Sequence, residues 1–249
     1  MNNLREQELT LKTKFTVTSA DADMFKRLKL SGLVNFLLQS AIYSAERLGF
    51  GLNFLNRENL FWVLSRMNLI IEKTMHWNDE VTIETWPKTV DGVLYIRDFF
   101  VWDKYSELVA KCSSAWLAID IIRKKPKIID GIISEKFHAL SWKKSIEEFP
   151  AKLDYHQGEK ASEINPTYTD TDLNKHITTT RYIDWLMDTF SLDFHENNYP
   201  KQLSINFLKE TMINETLEIF RTENPDKSFH FNTFNKIKDT ATLRAKICF

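Results

Sequence analysis

The stretch Asp172-Leu-Asn-Lys-His176-Ile-Thr-Thr-Thr-Arg-Tyr182-Ile-Asp-Trp185 indicates the fold, because its beginning occurs twice in the chain. Residues 170–175, Asp-Thr-Asp-Leu-Asn-Lys, align without a gap on residues 21–26, Asp-Ala-Asp-Met-Phe-Lys. In both copies an apolar helical pattern follows, with Leu186 in the place of Leu37, and then a run of strand-like segments. This shared order predicts the internal duplication of one unit.

Each copy is predicted to contain one helix and several strands. In the first copy, apolar residues recur at helical spacing from Ser31, a candidate N-cap, to Gly49, a candidate C-cap. Segments rich in β-branched and aromatic residues predict strands at 12–19, 61–71, 80–86, 94–102 and 108–122, and at 203–208, 216–221, 228–236 and 241–249. We therefore expect the α+β class, with a helix on the concave face of a curved sheet in each unit and the two units joined edge to edge.

The polar stretch between the copies lacks periodicity and predicts a linker. We expect an N-terminal domain at 1–141, a linker at 142–163 and a C-terminal domain at 164–249. Phe25 and Arg27 occupy the places of Asn174 and His176, so only the second copy carries the full polar set. A single reactive centre is expected, in the C-terminal domain.

Composition narrows the classes of function. The chain has 249 residues, 43% of them hydrophobic, and a formal net charge of -1, which gives no reason to expect nucleic acid or an anionic membrane as partner. The N-terminus lacks a secretion signal and no apolar run is long enough for membrane insertion, so we expect a cytoplasmic protein. Cys112 and Cys248 show no metal-ligand spacing and are interpreted as buried structural thiols; no metal or cofactor is expected.

The motif resembles that of the acyl-acyl-carrier-protein (acyl-ACP) thioesterases of plants and bacteria. The family pattern Asp-x-Asn-x-His-Val-Asn-Asn-x-x-Tyr-x-x-Trp is matched by Asp172, Asn174, His176, Tyr182 and Trp185. Family-like segments also occur at 62–67, 77–86, 97–99 and 123–127, so the likeness covers nearly the whole chain. The resemblance implies a double hotdog, two tandem helix-on-sheet domains sharing one continuous curved sheet, and hydrolysis of fatty acyl-ACP in fatty acid biosynthesis.

The resemblance further implies a catalytic glutamate one strand beyond the motif helix, and Glu210 matches it in Phe207-Leu-Lys-Glu210-Thr211. The chain departs from the family pattern in two places. Thr178 and Thr179 replace an Asn-Asn pair, and Thr211 replaces a cysteine. Because Thr211 has no thiol, a cysteine nucleophile is unavailable at that position, and direct attack by water is favoured.

Thioester hydrolysis requires an activated water and hydrogen-bond donors for the carbonyl oxygen. A helix that begins near Thr178 would offer unpaired backbone N–H groups to that oxygen. Asp172 and Glu210 are both candidate bases, and our hypothesis is that Glu210 activates water while Asp172 orients Asn174 and His176. Asp172 also has a simpler interpretation as a turn or capping residue, and the sequence leaves the division of work between the carboxylates open.

The first predicted helix is apolar along most of its length, so we expect the acyl chain to lie between it and its sheet. The residues expected to bind substrate are Leu37, Leu38, Ala41, Trp62 and Thr178. An acidic carrier protein needs a basic surface near the entrance. The expected docking residues are Arg123, Lys124, Lys125 and Lys127, with Lys143 and Lys144 as a second cluster.

Two other functions fit the same residues. An acyl-CoA thioesterase would share the fold and the chemistry but bind a nucleotide instead of a carrier protein, and a non-catalytic module would only bind the acyl thioester. A tandem-hotdog hydratase is disfavoured, because its Asp-x-Asn-Pro-x-His pattern has a proline where this chain has Lys175. The protein is expected to be a monomer or a homodimer, since two paired halves remove the need for a dimer without forbidding one.

Overall fold

A computed structural model describes residues 2–129, 131–173 and 175–249. The strands are β1 (Leu11–Thr16), β2 (Leu60–Ile71), β3 (Glu80–Asp91), β4 (Leu94–Asp103), β5 (Leu108–Asp120), β6 (Glu159–Ile164), β7 (Gln202–Phe207), β8 (Leu217–Glu223), β9 (Ser228–Asn235) and β10 (Thr240–Cys248). The helices are α1 (Asn2–Leu9), α2 (Leu30–Leu48), α3 (Leu52–Glu58), α4 (Ile132–His138), α5 (Thr179–Met187) and α6 (Leu192–Asn197).

All these strands belong to one antiparallel sheet with two equivalent halves. Its order is β1-β3-β4-β5-β2-β7-β10-β9-β8-β6, so each domain contributes its strands in the same relative order. The halves join where β2 pairs with β7, from Arg66 opposite Asn206 to Ile70 opposite Gln202. The predicted α+β architecture with a shared sheet is confirmed, and among the described residues the junction leaves β1 and β6 as the edge strands.

Helices α2 and α5 pack against each other over the sheet. Leu37 of α2 and Leu186 of α5 are completely buried, and they share one core with Leu69 and Leu203 of the central strands. Helix α2 ends at Leu48 as predicted, because Gly49 adopts φ 84°, a left-handed conformation that glycine reaches without strain.

The start of α2 differs from the prediction. The helix begins at Leu30 with Lys29 at the N-cap position, and Ser31 is buried in its first turn instead of capping it. The Lys29 N–H donates to the Asp21 carbonyl at 2.8 Å. This contact with a residue eight positions earlier sets the start of the helix. A prediction based on N-cap preferences considers only the residues at the helix end and does not include this contact.

Part of the predicted linker at 142–163 is a strand. β6 occupies Glu159–Ile164 and pairs with β8 at the edge of the sheet. Earlier linker residues also pack on the sheet, where the Leu153 N–H donates to Asn206 Oδ1 at 2.7 Å. An edge strand with mostly exposed side chains lacks the alternation of apolar residues that makes a strand recognisable in sequence.

Four short helices, α1, α3, α4 and α6, were not predicted, because helices of six to eight residues have too few turns to show a periodic pattern. Helices α3 and α4 close one end of the N-terminal domain, where Phe137 packs against Phe50, Trp62 and Tyr95. In the described ranges, every helix is too short or too polar to cross a membrane.

Candidate active site

The polar motif forms a tight loop directly before α5. The Asp172 N–H donates to the His176 carbonyl at 2.8 Å, and Asp172 Oδ1 accepts the His176 N–H at 3.1 Å. Lys175 adopts φ 64°, a left-handed conformation that reverses the chain. The Thr178 N–H donates to the Asp170 carbonyl at 2.8 Å, which sets the point where α5 begins.

The first copy folds in the same way. Asp23 Oδ1 accepts the Arg27 N–H at 2.8 Å, and Lys26 has φ 63°. The Lys29 N–H donates to the Asp21 carbonyl, as Thr178 does to Asp170. These matching bonds confirm the duplication predicted from the sequence. They also give the carboxylate of Asp172 a structural role in the loop.

The second copy adds an imidazole–carboxylate pair to this loop. His176 Nε2 lies 3.2 Å from Glu210 Oε2, and the two side chains are 28% and 48% exposed. A β-bridge between His176 and Met212 holds the segment after β7 beside the motif. The structure therefore brings His176, Glu210 and Asp172 together, while Asn174 lies outside the described residues.

In the first copy Arg27 occupies the position of His176 and joins two parts of the fold. It forms an ion pair with Asp23 at 2.9 Å and donates to the carbonyls of His195 at 2.8 Å and Asn198 at 3.2 Å. These bonds attach α6 to the N-terminal motif, beside a cavity of about 310 Å³. Among the described residues, His176 and Glu210 form the only imidazole–carboxylate pair within 4.0 Å.

The start of helix α5 carries backbone N–H groups that its own helix does not pair. Thr178 is the N-cap, and the Arg181 N–H donates back to the Thr178 carbonyl at 3.0 Å. The N–H groups of Thr179 and Thr180 have no acceptor among the residues that the structure describes. Such groups at a helix start favour a partial negative charge on a ligand.

A cavity of about 540 Å³ runs from Asp172 and Thr179 into the N-terminal domain. Leu38, Ala41 and Trp62, which were expected to bind substrate, line it. Apolar walls supplied by α2, α3 and β2 suit a hydrocarbon chain.

Two residues expected to bind substrate lie elsewhere. Leu37 is completely buried in the main core, because the helical turn directs it toward the sheet while its neighbour Leu38 faces the cavity. Thr178 serves as the N-cap of α5, and the next residue, Thr179, takes its place on the cavity wall.

Sequence reasoning missed other residues of the cavity. Phe50, Trp116 and Phe137 line it, yet they are far apart in the chain and only the fold assembles them. Arg97 also lines the cavity, and its signal in the sequence is a charged residue inside the apolar strand β4.

Neither cysteine is placed to act as a nucleophile. Cys112 is completely buried in β5, and burial raises the pKa of its thiol well above the usual range. Burial also raises the pKa of Cys248, although this residue is only partly buried. The prediction that both cysteines are buried is therefore confirmed for Cys112 and not for Cys248. Thr211, at the position of the family's cysteine, has 0% exposure.

The aromatic residues of the motif on α5 pack in the core. Tyr182 and Trp185 are both buried, with ring centroids 5.6 Å apart, and Tyr182 also packs against Phe207. Burial raises the pKa of Tyr182 to about 12, so its phenol is neutral at physiological pH.

The first basic cluster lies in the loop after β5, beside the cavity. Arg123, Lys124, Lys125 and Lys127 are all exposed. Ile121 at the start of this loop lines the cavity, and Lys127 Nζ lies 3.8 Å from Glu58 of α3. The loop therefore presents its cations at the rim of the cavity.

The second basic cluster is largely unavailable for docking. Lys143 is only 13% exposed and forms ion pairs with Glu6 at 2.8 Å and Glu84 at 2.7 Å. Its side chain belongs to the fold, and the other cation of this cluster, Lys144, pairs with Glu147 at 2.9 Å.

Sequence reasoning also missed an ion pair that supports the motif. Arg181 Nε lies 2.7 Å from Asp170 Oδ1, and Asp170 Oδ2 accepts the Thr167 N–H at 2.7 Å. Burial by itself would raise the pKa of Asp170, but the hydrogen bonds from Thr167 and Arg181 outweigh it and hold that pKa below the usual range. The carboxylate thus joins a 3₁₀ turn, Tyr168–Asp170, to α5.

Asp170→Ala is expected to destabilise the protein by about 1–3 kcal/mol, because it removes a buried acceptor and leaves Thr167 without a partner. Since folding lowers the pKa of Asp170, this contribution is present above about pH 4 and disappears as pH falls through the folded pKa. Urea unfolding of both proteins at several pH values measures it. Asp184→Ala, which removes the more exposed partner of Arg181, is the control and should cost less.

Family models match both halves of the chain. The model described as acyl-ACP thioesterase N-terminal domain matches residues 8–136, and that described as acyl-ACP thioesterase C-terminal domain matches residues 154–249. A curated relative, the chloroplastic dodecanoyl-[acyl-carrier-protein] hydrolase of Cinnamomum camphora, is 24% identical over 231 residues. That alignment covers 86% of this chain and 59% of the plant protein, so the chain spans about three fifths of its relative's length.

Solved structures share the fold. An acyl-ACP thioesterase from Bacteroides thetaiotaomicron has a TM-score of 0.90 at 24% identity, covering 98% of this chain and 99% of that one. The 12:0-ACP thioesterase of Umbellularia californica has a TM-score of 0.83 at 18% identity, covering 96% of each chain. The double-hotdog fold expected from the resemblance is confirmed. Since the family models together match most of the chain, this protein belongs to the acyl-ACP thioesterase family.

Proposed function

We propose that this protein is a thioester hydrolase that converts fatty acyl-ACP to free fatty acid and carrier protein in fatty acid biosynthesis. The observation that carries the proposal is the His176–Glu210 pair, 3.2 Å apart, which lies where the loop containing Asp172 meets the segment after β7, beside an apolar cavity that Asp172 lines. Family membership and the printed activities of the relatives support the substrate class. A cytoplasmic location and a monomeric or homodimeric state stay predictions from the sequence.

In the proposed reaction Glu210 is the general base. Its carboxylate accepts a proton from water while the water oxygen bonds to the thioester carbonyl carbon. The tetrahedral intermediate then breaks its carbon–sulfur bond, and sulfur leaves with the electron pair. The proton returns to that sulfur through His176, whose Nε2 faces Glu210. Water is the nucleophile because Thr211 is buried and has no thiol.

The first turn of α5 is the proposed site for the carbonyl oxygen. Negative charge develops on that oxygen in the intermediate. The N–H groups of Thr179 and Thr180, which have no acceptor in the described part of the chain, are donors that need not reorient. Thr179 lines the cavity, so an acyl chain that enters there brings its carbonyl group near these donors.

Asp172 is proposed to orient the other groups. Its Oδ1 holds the His176 backbone N–H, and Asp23 makes the same bond in the copy that lacks the His–Glu pair. This comparison favours Glu210 over Asp172 as the base. Asn174 is proposed to position water or substrate through its carboxamide.

Glu210→Gln is expected to lower kcat by about 10²- to 10⁴-fold with KM little changed, because an amide cannot accept the proton. Asp172→Asn should lower kcat less, and Asp23→Asn is the matched control that should keep near wild-type activity. Release of free thiol from acyl-ACP measures turnover. If Glu210→Gln kept near wild-type turnover and Asp172→Asn were inactive, Asp172 would be the general base and Glu210 the orienting residue.

The same assay with acyl-CoA separates the other candidate functions. Faster hydrolysis of acyl-CoA than of acyl-ACP would identify an acyl-CoA thioesterase. Tight binding of both substrates without thiol release would identify a non-catalytic module.

The cavity is proposed to hold the acyl chain, with its walls setting the preferred length. Ala41→Leu should shift the products toward shorter fatty acids, because the added methyl groups occupy the volume beside Leu38. Product chain lengths from a mixed acyl-ACP pool measure the shift. Leu37→Met is the control, because Leu37 lies four positions from Ala41 on the same helix but in the core and not on the cavity wall. An identical product profile in the wild-type protein and both variants would contradict the proposal that the cavity holds the acyl chain.

The basic loop after β5 is proposed to dock the acidic carrier protein. Lys124→Glu should raise KM for acyl-ACP several-fold and weaken its dependence on salt, because a rim charge acts mainly on association. The control is Lys14→Glu, the same charge change on the exposed side of the edge strand β1. Equal KM values for both variants across a salt series would argue against docking at this loop.

A further inference from the structure

The cavity of about 310 Å³ beside Arg27 is the counterpart, in the other half of the duplication, of the larger cavity proposed to hold the acyl chain. Three of its lining residues correspond, in the alignment of the two copies, to residues that line the larger cavity. These pairs are Asp23 with Asp172, Leu30 with Thr179, and Met187 with Leu38. The N-terminal motif thus faces a cavity of its own, walled in part by α5 and α6.

Packed aromatic rings make this smaller cavity short. Phe190 occupies the place of Ala41, which lines the larger cavity. Its ring stacks on Phe194 with centroids 4.6 Å apart and meets the edge of Phe229 at 4.8 Å. The rings account for a volume of about 310 Å³ against about 540 Å³. A ligand of the smaller cavity must therefore be small.

The start of α2 offers hydrogen-bond donors to this cavity. Leu30 and Ser31, the first two residues of this 19-residue helix, both line it. Their backbone N–H groups have no acceptor in the described part of the chain, whereas the Leu33 N–H donates to the Lys29 carbonyl at 3.0 Å. Unpaired N–H groups at a helix start attract an oxygen atom that carries partial negative charge.

The hydroxyl of Ser31 is a second, independent indication of a ligand. Ser31 is only 7% exposed and lies on the cavity wall. Its hydroxyl forms no hydrogen bond with any residue that the structure describes. Since a buried hydroxyl without a partner is costly, an occupant of the cavity is expected to supply the missing partner.

The charges around the cavity favour a neutral occupant. Asp23, Asp184 and Asp188 all line it, so a ligand carboxylate would meet three like charges. Asp23 is paired with Arg27 at 2.9 Å, and Asp184 with Arg181 at 2.9 Å. Asp188 has neither a hydrogen bond to its carboxylate nor an ion pair within the described ranges. Its carboxylate is therefore open to an N–H donor.

The other polar side chains on the wall are already engaged. Lys29 Nζ donates to the Ala20 carbonyl at 2.9 Å, and His195 Nε2 lies 3.0 Å from the Met187 carbonyl. The cavity thus combines donors at the start of α2 with one open acceptor on α5.

We propose that the smaller cavity binds a small neutral carboxamide, whose carbonyl oxygen accepts from Ser31 and the start of α2 and whose N–H donates to Asp188. A short hydrocarbon part of the ligand lies against the apolar side chains of the wall, Met24, Leu30, Met187 and Leu192. The ligand is bound without reaction, because Arg27 stands where the second copy has His176. This binding site does not depend on the function proposed above.

An NMR titration of the intact protein tests the proposal. The probes are straight-chain primary amides from butanamide to octanamide, their N,N-dimethyl derivatives and carboxylic acids of equal length. The backbone signal of Leu30 reports the smaller cavity and that of Thr179 the larger one, which separates the two dissociation constants. At the smaller cavity, primary amides should bind about tenfold more tightly than the acids and several-fold more tightly than the N,N-dimethyl amides, which lack the N–H donor.

Two variants remove the proposed contacts one at a time. Ser31→Ala should weaken the binding of primary amides at the Leu30 signal several-fold, and Asp188→Ala should abolish the preference for primary over N,N-dimethyl amides. The control is Ser40→Ala, which removes another buried hydroxyl of α2 that has no partner but lies on neither cavity wall, and it should bind like the wild-type protein. Asp188 is exposed, so its variant carries the test if Ser31→Ala fails to fold.

Three results would overturn the proposal: a Leu30 signal that no amide shifts, acids that bind there as tightly as primary amides, or unchanged amide binding in both Ser31→Ala and Asp188→Ala.

Discussion

The antiparallel pairing of β2 with β7 joins the two domains and creates the setting of the candidate site. It places the chain beyond β7, which carries Glu210, beside the beginning of β2, which carries Trp62. The motif of the C-terminal domain therefore faces a cavity whose walls come from the N-terminal domain. The C-terminal domain contributes the polar groups of the candidate site, and the N-terminal domain contributes the apolar cavity.

Comparison of the two copies separates the contacts that form the loop from the residues that are proposed to act in catalysis. Both copies close their loop with an aspartate that accepts a backbone N–H and a lysine in the left-handed conformation. The copies diverge at the next residue. Arg27 uses the several donors of its guanidinium to attach α6, whereas His176 presents an imidazole to Glu210. One scaffold thus carries a structural contact in one half and, in the other, the His176–Glu210 pair that is proposed to transfer protons.

Buried charges in this protein are treated in two ways. Lys88 and Asp98 form a direct ion pair, as do Arg181 and Asp170, so these charges are balanced within the fold. Arg97, adjacent to Asp98 in sequence, points to the other face of the sheet, where it donates to two hydroxyl groups and has no carboxylate within 4.0 Å among the described residues. Side chains alternate between the two faces of β4. The paired carboxylate of Asp98 therefore lies under the linker, and the guanidinium of Arg97 lies at the cavity.

The sequence by itself determined the duplication, the α+β class, most of the strands and the tight loop before α5, because these depend on local periodicity and on residue spacing within one segment. Together with the family resemblance it also indicated His176 and Glu210. Only the tertiary structure decided that Leu38 and not Leu37 faces the cavity, that Lys143 is occupied by Glu6 and Glu84, and that β6 completes the edge of the sheet. It also assembled Phe50, Arg97, Trp116 and Phe137 into one wall. These features arise from contacts between segments far apart in the chain, which local patterns do not encode.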